Sequence, residues 1–154
     1  KTKLLAARLA MEAGVSMAIA DGATISPLEA IENGARATWF VAPVSPATAR
    51  KKWIAGTLAP AGALRIDAGA ALALQSGKSL LPAGVIGVEG GFERGDCVRV
   101  LSAEGGEIAR GLAAYDAAEA RLIQGKRSAE IAAALGHAGR SELIHRDDLV
   151  LART

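Results

Sequence analysis

Several groups of residues carry side chains that could do chemistry. Glu89, Glu93 and Asp96 cluster around glycines. Carboxylates held together can divide acid and base roles, whereas carboxylates beside turn glycines are more often solvated turn residues. His145-Arg146-Asp147 has the outline of a protein-kinase catalytic loop. That chemistry also needs a downstream asparagine, an Asp-Phe-Gly and a glycine-rich loop, none of which the chain contains, so no catalytic role is assigned to it. Arg50-Lys51-Lys52 beside Trp53 offers charge and stacking for phosphate or nucleic acid. The plainer expectation is a wet basic helix face with Trp53 packed beneath it. His137 sits in a Gly-His-Ala-Gly loop with no second His or Cys close by, which makes it a solvated loop histidine rather than a metal ligand. The single cysteine, Cys97, excludes an internal disulfide and a multi-cysteine metal site. On an apolar strand it is expected to be a buried structural thiol.

The elements that must position these groups can be read from periodicity and punctuation. Thr2 to Ala13 is alanine- and leucine-rich and ends at Gly14, the pattern of a helix with a glycine stop. Val15–Ala20 and Ala37–Ala42 are short uncharged runs, expected as strands covered on both faces. Ser26-Pro27-Leu28-Glu29 reads as a capping box that starts a helix reaching about Asn33. Helix, strand, helix, strand at this spacing implies an α/β layer with parallel strands. Ala47 to Gly56 reads as a short helix, and Pro60 with Gly62 marks a linker over 57–62.

Beyond that linker the pattern changes. Leu64–Asp67 opens a strand, and Ala68–Gln75 is an alanine-rich helix closed by Gly77. Gly84–Val88, Cys97–Leu101 and Ile108–Leu112 are short apolar runs bounded by glycine, the pattern of small antiparallel strands. Val98 and Val100 alternate with Arg99, so one face is buried and one is wet. Arg94-Gly95-Asp96 and Glu104-Gly105-Gly106 supply turns that need positive φ. Asp116 caps a helix to Ile123, Ser128–Leu135 is another helix stopped by Gly136, and Glu142–Leu151 is an extended tail.

Composition narrows the classes. The chain has 154 residues, enough for one ordinary domain or two small ones. Aromatics are only 3% against 51% hydrophobic, so the core must be built from Ala, Leu, Val and Ile. The net charge of +2 points to neither a nucleic-acid glove nor an acidic partner. Residues 63–125 hold six basic and eight acidic side chains, while residues 1–62 hold seven basic and four acidic. No run approaches the roughly 18 apolar residues that span a bilayer, and no secretory pattern opens the chain, so a cytoplasmic protein with no membrane partner is expected. The start at Lys1-Thr2-Lys3, inside the first turn of a helix, suggests a piece of a longer protein.

The pattern Leu81-Pro82-x-Gly84-Val85, Gly90-x-Phe92-x-x-Gly95-Asp96-x-Val98-x-Val100, Gly106 and Ala109-x-Gly111 resembles a PUA domain, a small and mostly-β barrel. PUA domains elsewhere bind RNA, and this resemblance alone leaves an RNA-binding module open. The net negative charge of the barrel region and its few aromatics imply that any RNA binding is weak.

Lys1-Thr2-Lys3-x-x-Ala6-Ala7 resembles the end of the Gly-Gly-Met-x-Thr-Lys-x-x-Ala-Ala motif of amino-acid kinases. In that motif a glycine turn runs into a helix whose free N–H groups face nucleotide phosphates. The resemblance implies nucleotide contacts from Lys1, Thr2 and Lys3. It also implies that Lys3 supplies charge during phosphoryl transfer. With Ala47-x-x-Arg50-Lys51-x-Trp53-Ile54 and His145-Arg146-Asp147-Asp148-Leu149, the whole chain is similar to bacterial glutamate 5-kinase. That family transfers the γ-phosphoryl group of ATP, with Mg²⁺, to the side-chain carboxylate of L-glutamate, the first step of proline biosynthesis.

The resemblance implies an α/β fragment of a three-layer α/β/α amino-acid kinase sandwich over residues 1–56. The linker 57–62 and a PUA domain with its tail over 63–154 follow. It further implies a homo-oligomer, proline as feedback inhibitor, a regulatory or assembly role for the barrel, and glutamate-binding residues upstream of Lys1. The chain alone is therefore expected to be inactive.

Overall fold

The computed structural model describes residues 2–56 and 59–152. The chain divides into two compact units, Lys1–Arg50 and Lys51–Thr154. Lys1, Thr57 and Leu58 lie outside the described residues, so the first of the nucleotide-contact residues and part of the expected linker have no structural account.

In the first unit, α1 (Thr2–Glu12) forms because alanine and leucine lose little entropy in a helix. It ends in a Schellman turn: Gly14 N–H donates to the Met11 carbonyl and Val15 N–H to that of Ala10. Gly14 has φ 76°, and a Cβ there would lie 2.7 Å from the backbone of Ser45 and Pro46. Both the turn and the close approach require glycine.

Strands β1 (Met17–Ile19) and β2 (Thr38–Phe40) pair antiparallel, with Ala18 opposite Trp39. This corrects the expectation of parallel strands. A parallel crossover needs a helix that packs back onto the sheet, but α2 (Pro27–Glu32) has only six residues and none of them is buried. Neither strand is covered on both faces: β1 is half-buried, Trp39 is 58% exposed and Val41 71%. The capping box is also absent. Ser26 sits at φ 54°, ψ 63° and its side chain caps nothing, because N-capping geometry requires an extended residue there. Helix α3 (Pro46–Gly56) forms as expected.

The second unit is built on a five-stranded sheet in the order β4-β3-β5-β6-β7. Its strands are β3 (Gly62–Ile66), β4 (Val85–Gly90), β5 (Cys97–Leu101), β6 (Glu107–Leu112) and β7 (Leu149–Leu151). The three apolar runs are strands, but they do not form one antiparallel array. β3 lies between β4 and β5, antiparallel to the first and parallel to the second. Sequence shows which segments are extended; pairing is decided by the loops and by α4 (Ala68–Gln75), which carries the chain from β3 to β4.

The core lies on one sheet face. Leu64, Ile66, Val98, Val100 and Ala109 meet Leu74 of α4, Ala120 and Ile123 of α5 (Ala117–Ile123), and Ile131 of α6 (Ser128–Leu135). Asp116 caps α5 as expected, accepting from Glu119 N–H, while Asp67, read as the end of a strand, instead caps α4 by accepting from Ala70 N–H.

The expected extended tail is part of this core. Leu143 and Ile144 are fully buried, Ile144 bridges Leu80, and β7 closes the sheet against β6. Gly111 permits this, because a Cβ there would lie 2.6 Å from Ile144 Cγ2 and 2.8 Å from the Asp148 carbonyl oxygen.

Candidate functional site

Helix α1 runs over Thr2–Glu12, and the N–H groups of a helix's first turn have no carbonyl partner within the helix itself. That end carries the positive pole of the helix dipole. Thr2 and Lys3 sit in this turn and both are exposed. An ion pair on α1, Arg8 to Glu12 at 3.1 Å, lies toward the other end, and among the described residues the Lys3 ammonium has no partner. First-turn amide N–H groups and a lysine side chain are the groups that such a helix end can offer to an anion.

The other candidate residues resolve into structural roles. Glu89 is tied to Arg65 at 2.7 Å. Asp96 accepts from the backbone N–H of Glu93 at 2.9 Å, closing a turn in which Gly95 has φ 94°. The three carboxylates therefore do not converge as an acid–base pair. On α3, Ile54 is fully buried and Trp53 is 45% exposed, so Trp53 is not packed beneath a basic face. In an eleven-residue helix only one stripe can turn inward, and Ile54 takes it.

His137 is better anchored than a solvated loop residue. Its Nε2 lies 3.3 Å from Glu119 on α5, and Nδ1 is 3.0 Å from the Ala138 carbonyl. His145 caps a short 3-10 turn, its Nδ1 receiving the Asp147 N–H at 3.3 Å. This is a backbone role. Cys97 is buried and unpaired, and burial pushes its thiol pKa up, away from the reactive thiolate. Among the described residues, no group of three or more His, Cys, Asp or Glu comes together as a metal site.

Sequence reading missed two arrangements. Arg121 on α5 and Gln124, which caps its carboxyl end, reach the outer edge of β4. Lys78 and Arg146, far apart in the chain, line one groove. Neither has a local sequence signal, since both depend on which strand ends the sheet.

Comparison with known proteins places these units. The PUA domain family matches residues 62–135. "Glutamate 5-kinase 1" of Rhizobium meliloti (strain 1021) is 62% identical over 151 residues, which is 98% of this chain and 38% of that protein. The chain is similar to glutamate 5-kinases through both of its units. The glutamate 5-kinase of Agrobacterium fabrum is 58% identical over 98% of the chain and 39% of its own length. The chain thus spans under two fifths of the glutamate 5-kinases it matches. A crystal structure of a PUA domain from Aeropyrum pernix K1, in a tartrate complex, is 29% identical. It covers 55% of this chain and 41% of its own, at a TM-score of 0.42. Among the described residues, no helix is long and apolar enough to cross a membrane.

Proposed function

We propose that this chain is the carboxy-terminal part of a cytoplasmic glutamate 5-kinase, transferring the γ-phosphoryl group of ATP to the side-chain carboxylate of L-glutamate. The observation that carries this reading is the 62% identity, which continues through both units rather than stopping at the PUA domain. An RNA-binding module alone would leave the first unit without a reason.

The first unit supports the reading physically. Leu4, Leu5, Leu9, Trp39 and Val41 are all more than half exposed. A protein rarely leaves so many large apolar groups wet unless another surface covers them. Here the cover is the rest of an α/β/α kinase domain, to which residues 1–56 contribute an edge. Residues 57–62 are the linker and 63–154 the PUA domain.

In this reading the amino end of α1 faces the nucleotide. The Thr2 hydroxyl and first-turn N–H groups bind phosphate oxygens, and Lys3 holds its charge where the transferring group becomes most negative. When bound, Mg²⁺ would supply neutralising charge to the ATP phosphates beside Thr2 and Lys3. The PUA domain offers no nucleophile–base pair, so its role is regulation or assembly: holding subunits of a homo-oligomer, or coupling proline inhibition to the kinase layer.

The test is hydroxamate formation from glutamate, ATP, Mg²⁺ and hydroxylamine. The full-length parent should turn over, and the 154-residue chain should not. Failure of the parent would sink the kinase reading, and turnover by the chain would sink its being a part that needs the remainder.

A further inference from the structure

A groove of about 310 Å³ opens in the second unit between the carboxyl end of α4 and β7. Leu74, Leu149 and Leu151 give it an apolar wall, and Lys51, Lys78 and Arg146 border it. Among the described residues, none of these three cations has a side-chain ion pair or hydrogen bond. The carboxylate on the same rim, Asp147, is turned to His145, with Oδ2 3.5 Å from Nδ1.

The wall of this groove is also a strand edge. β7 ends the sheet, so among the described residues its side away from β6 is unpaired. Ala152 N–H donates inward to the Ile108 carbonyl at 2.8 Å. Antiparallel pairing alternates, so Val150 also bonds inward, to Arg110, while the N–H and C=O of Leu151 point outward. Leu151 is 41% exposed, and its backbone presents a free donor and acceptor to the groove.

We propose that this groove takes an extended acidic polypeptide segment, which adds as a strand to the free edge of β7 and places its carboxylates against Lys78, Arg146 and Lys51. Strand addition draws affinity from backbone hydrogen bonds and specificity from alternate side chains. The free edge supplies the first and the three cations the second. A second copy of the same basic edge would be repelled, because cations at an edge deter self-pairing. Nucleic acid fits less well: the groove has no aromatic residue for base stacking, and phosphates leave the edge groups of Leu151 unmatched.

The test uses the complete 154-residue chain and three probes, read by fluorescence polarisation. These are a labelled peptide of alternating Val and Glu, the same peptide with Lys for Glu, and labelled oligouridylate. The acidic peptide should bind and the Lys peptide should not. Lys78→Glu with Arg146→Glu should weaken the acidic peptide by about tenfold or more and admit the Lys peptide. N-methylation at alternate residues of the acidic peptide should abolish binding to the unaltered chain. That result does not depend on whether the double variant folds. No binding of the acidic peptide up to about 1 mM, where affinity is already negligible, would overturn the proposal. So would equal binding of the N-methylated peptide. Tighter binding of oligouridylate, lost with the same two substitutions, would reassign the groove to nucleic acid.

Discussion

Gln124, the residue that caps the carboxyl end of α5, donates its side-chain N–H to the Ile86 carbonyl on β4, at 2.9 Å. One turn earlier, Arg121 donates to the Gly90 carbonyl on the same strand. β4 is the other end strand of the sheet, and these two contacts occupy acceptors that would otherwise stand open. The two ends of one sheet are thus treated differently: the β4 edge is closed by helix side chains, while the β7 edge stays free beside its three cations.

Removing the β4 cap should cost stability and solubility together. Gln124→Ala loses one neutral hydrogen bond, worth about 0.5–1.5 kcal/mol. Arg121→Ala loses a charge-assisted one, worth about 1.5–3 kcal/mol at most, and exposure reduces that further. The double variant should unfold at lower urea and scatter light sooner on heating, because an open edge templates association. A double variant with unchanged midpoint and scattering would mean that the edge is protected by something other than α5.

Alkaline pH should weaken the second unit through two groups. Burial raises the Cys97 thiol above its ordinary 9.0. Burial likewise raises the Tyr115 hydroxyl above its ordinary 10.0, only partly offset by its hydrogen bond to the Arg140 carbonyl. Each folded pKa is raised, so the contribution to stability is complete below the unfolded pKa. It is lost as pH climbs through the folded one, because the unfolded chain releases its proton first. Urea midpoints should fall above about pH 9, and Cys97→Ala should flatten the first part of that fall. A variant with an unaltered alkaline slope would show that Cys97 titrates as though it were exposed. Thiol reagents give an independent check, since Cys97 should react slowly until the chain is unfolded.

Lys3 can be tested in the full-length parent. Lys3→Ala should lower kcat by on the order of 10²–10³, the usual loss for one preorganised electrostatic contact in a transition state. KM for glutamate should change far less, because the role proposed for Lys3 is toward the transferring phosphate and not the amino acid. If kcat were unchanged, Lys3 would be an ordinary surface lysine on α1.

What was legible in the sequence follows from how local each feature is. Gly14, Gly77, Gly95 and Gly136 all sit at positive φ where their neighbours demanded a stop or a turn. Asp116 caps the helix it precedes, as expected, whereas Asp67 also caps a helix although its local pattern reads as strand. Ser26 failed as a cap despite an ideal local pattern, because its backbone is left-handed. Pairing was legible only in part: Val98 and Val100 revealed a buried face, but nothing in their spacing reveals that β3 slips between β4 and β5. The β1–β2 direction failed for the same reason, since an uncharged run records burial and not orientation. The groove cations were invisible because Lys78 and Arg146 meet only after Ile144 has bridged Leu80.

The tail gives the most severe test of this fold. The PUA family match ends at residue 135, and periodicity beyond it suggests only an extended strand. Yet Leu143 and Ile144 are fully buried, and Leu149 is 6% exposed. Ala114 N–H donates to the Leu143 carbonyl at 2.8 Å, and Leu143 N–H to the Leu80 carbonyl at 2.8 Å. Tyr115 donates its hydroxyl to the Arg140 carbonyl. Each large aliphatic side chain contributes about 1.5–3 kcal/mol by burial. Losing three of them, together with their hydrogen bonds, approaches the 5–15 kcal/mol that holds an ordinary domain folded. Truncation after Leu135 should therefore leave the second unit without a cooperative urea transition and with dye-binding apolar surface. Truncation after Ala152 should leave the transition intact, since β7 and its bond to Ile108 survive. A chain ending at Leu135 that unfolded cooperatively at the same midpoint would show that the sheet closes without β7, and that Leu143 and Ile144 merely fill space the core can do without.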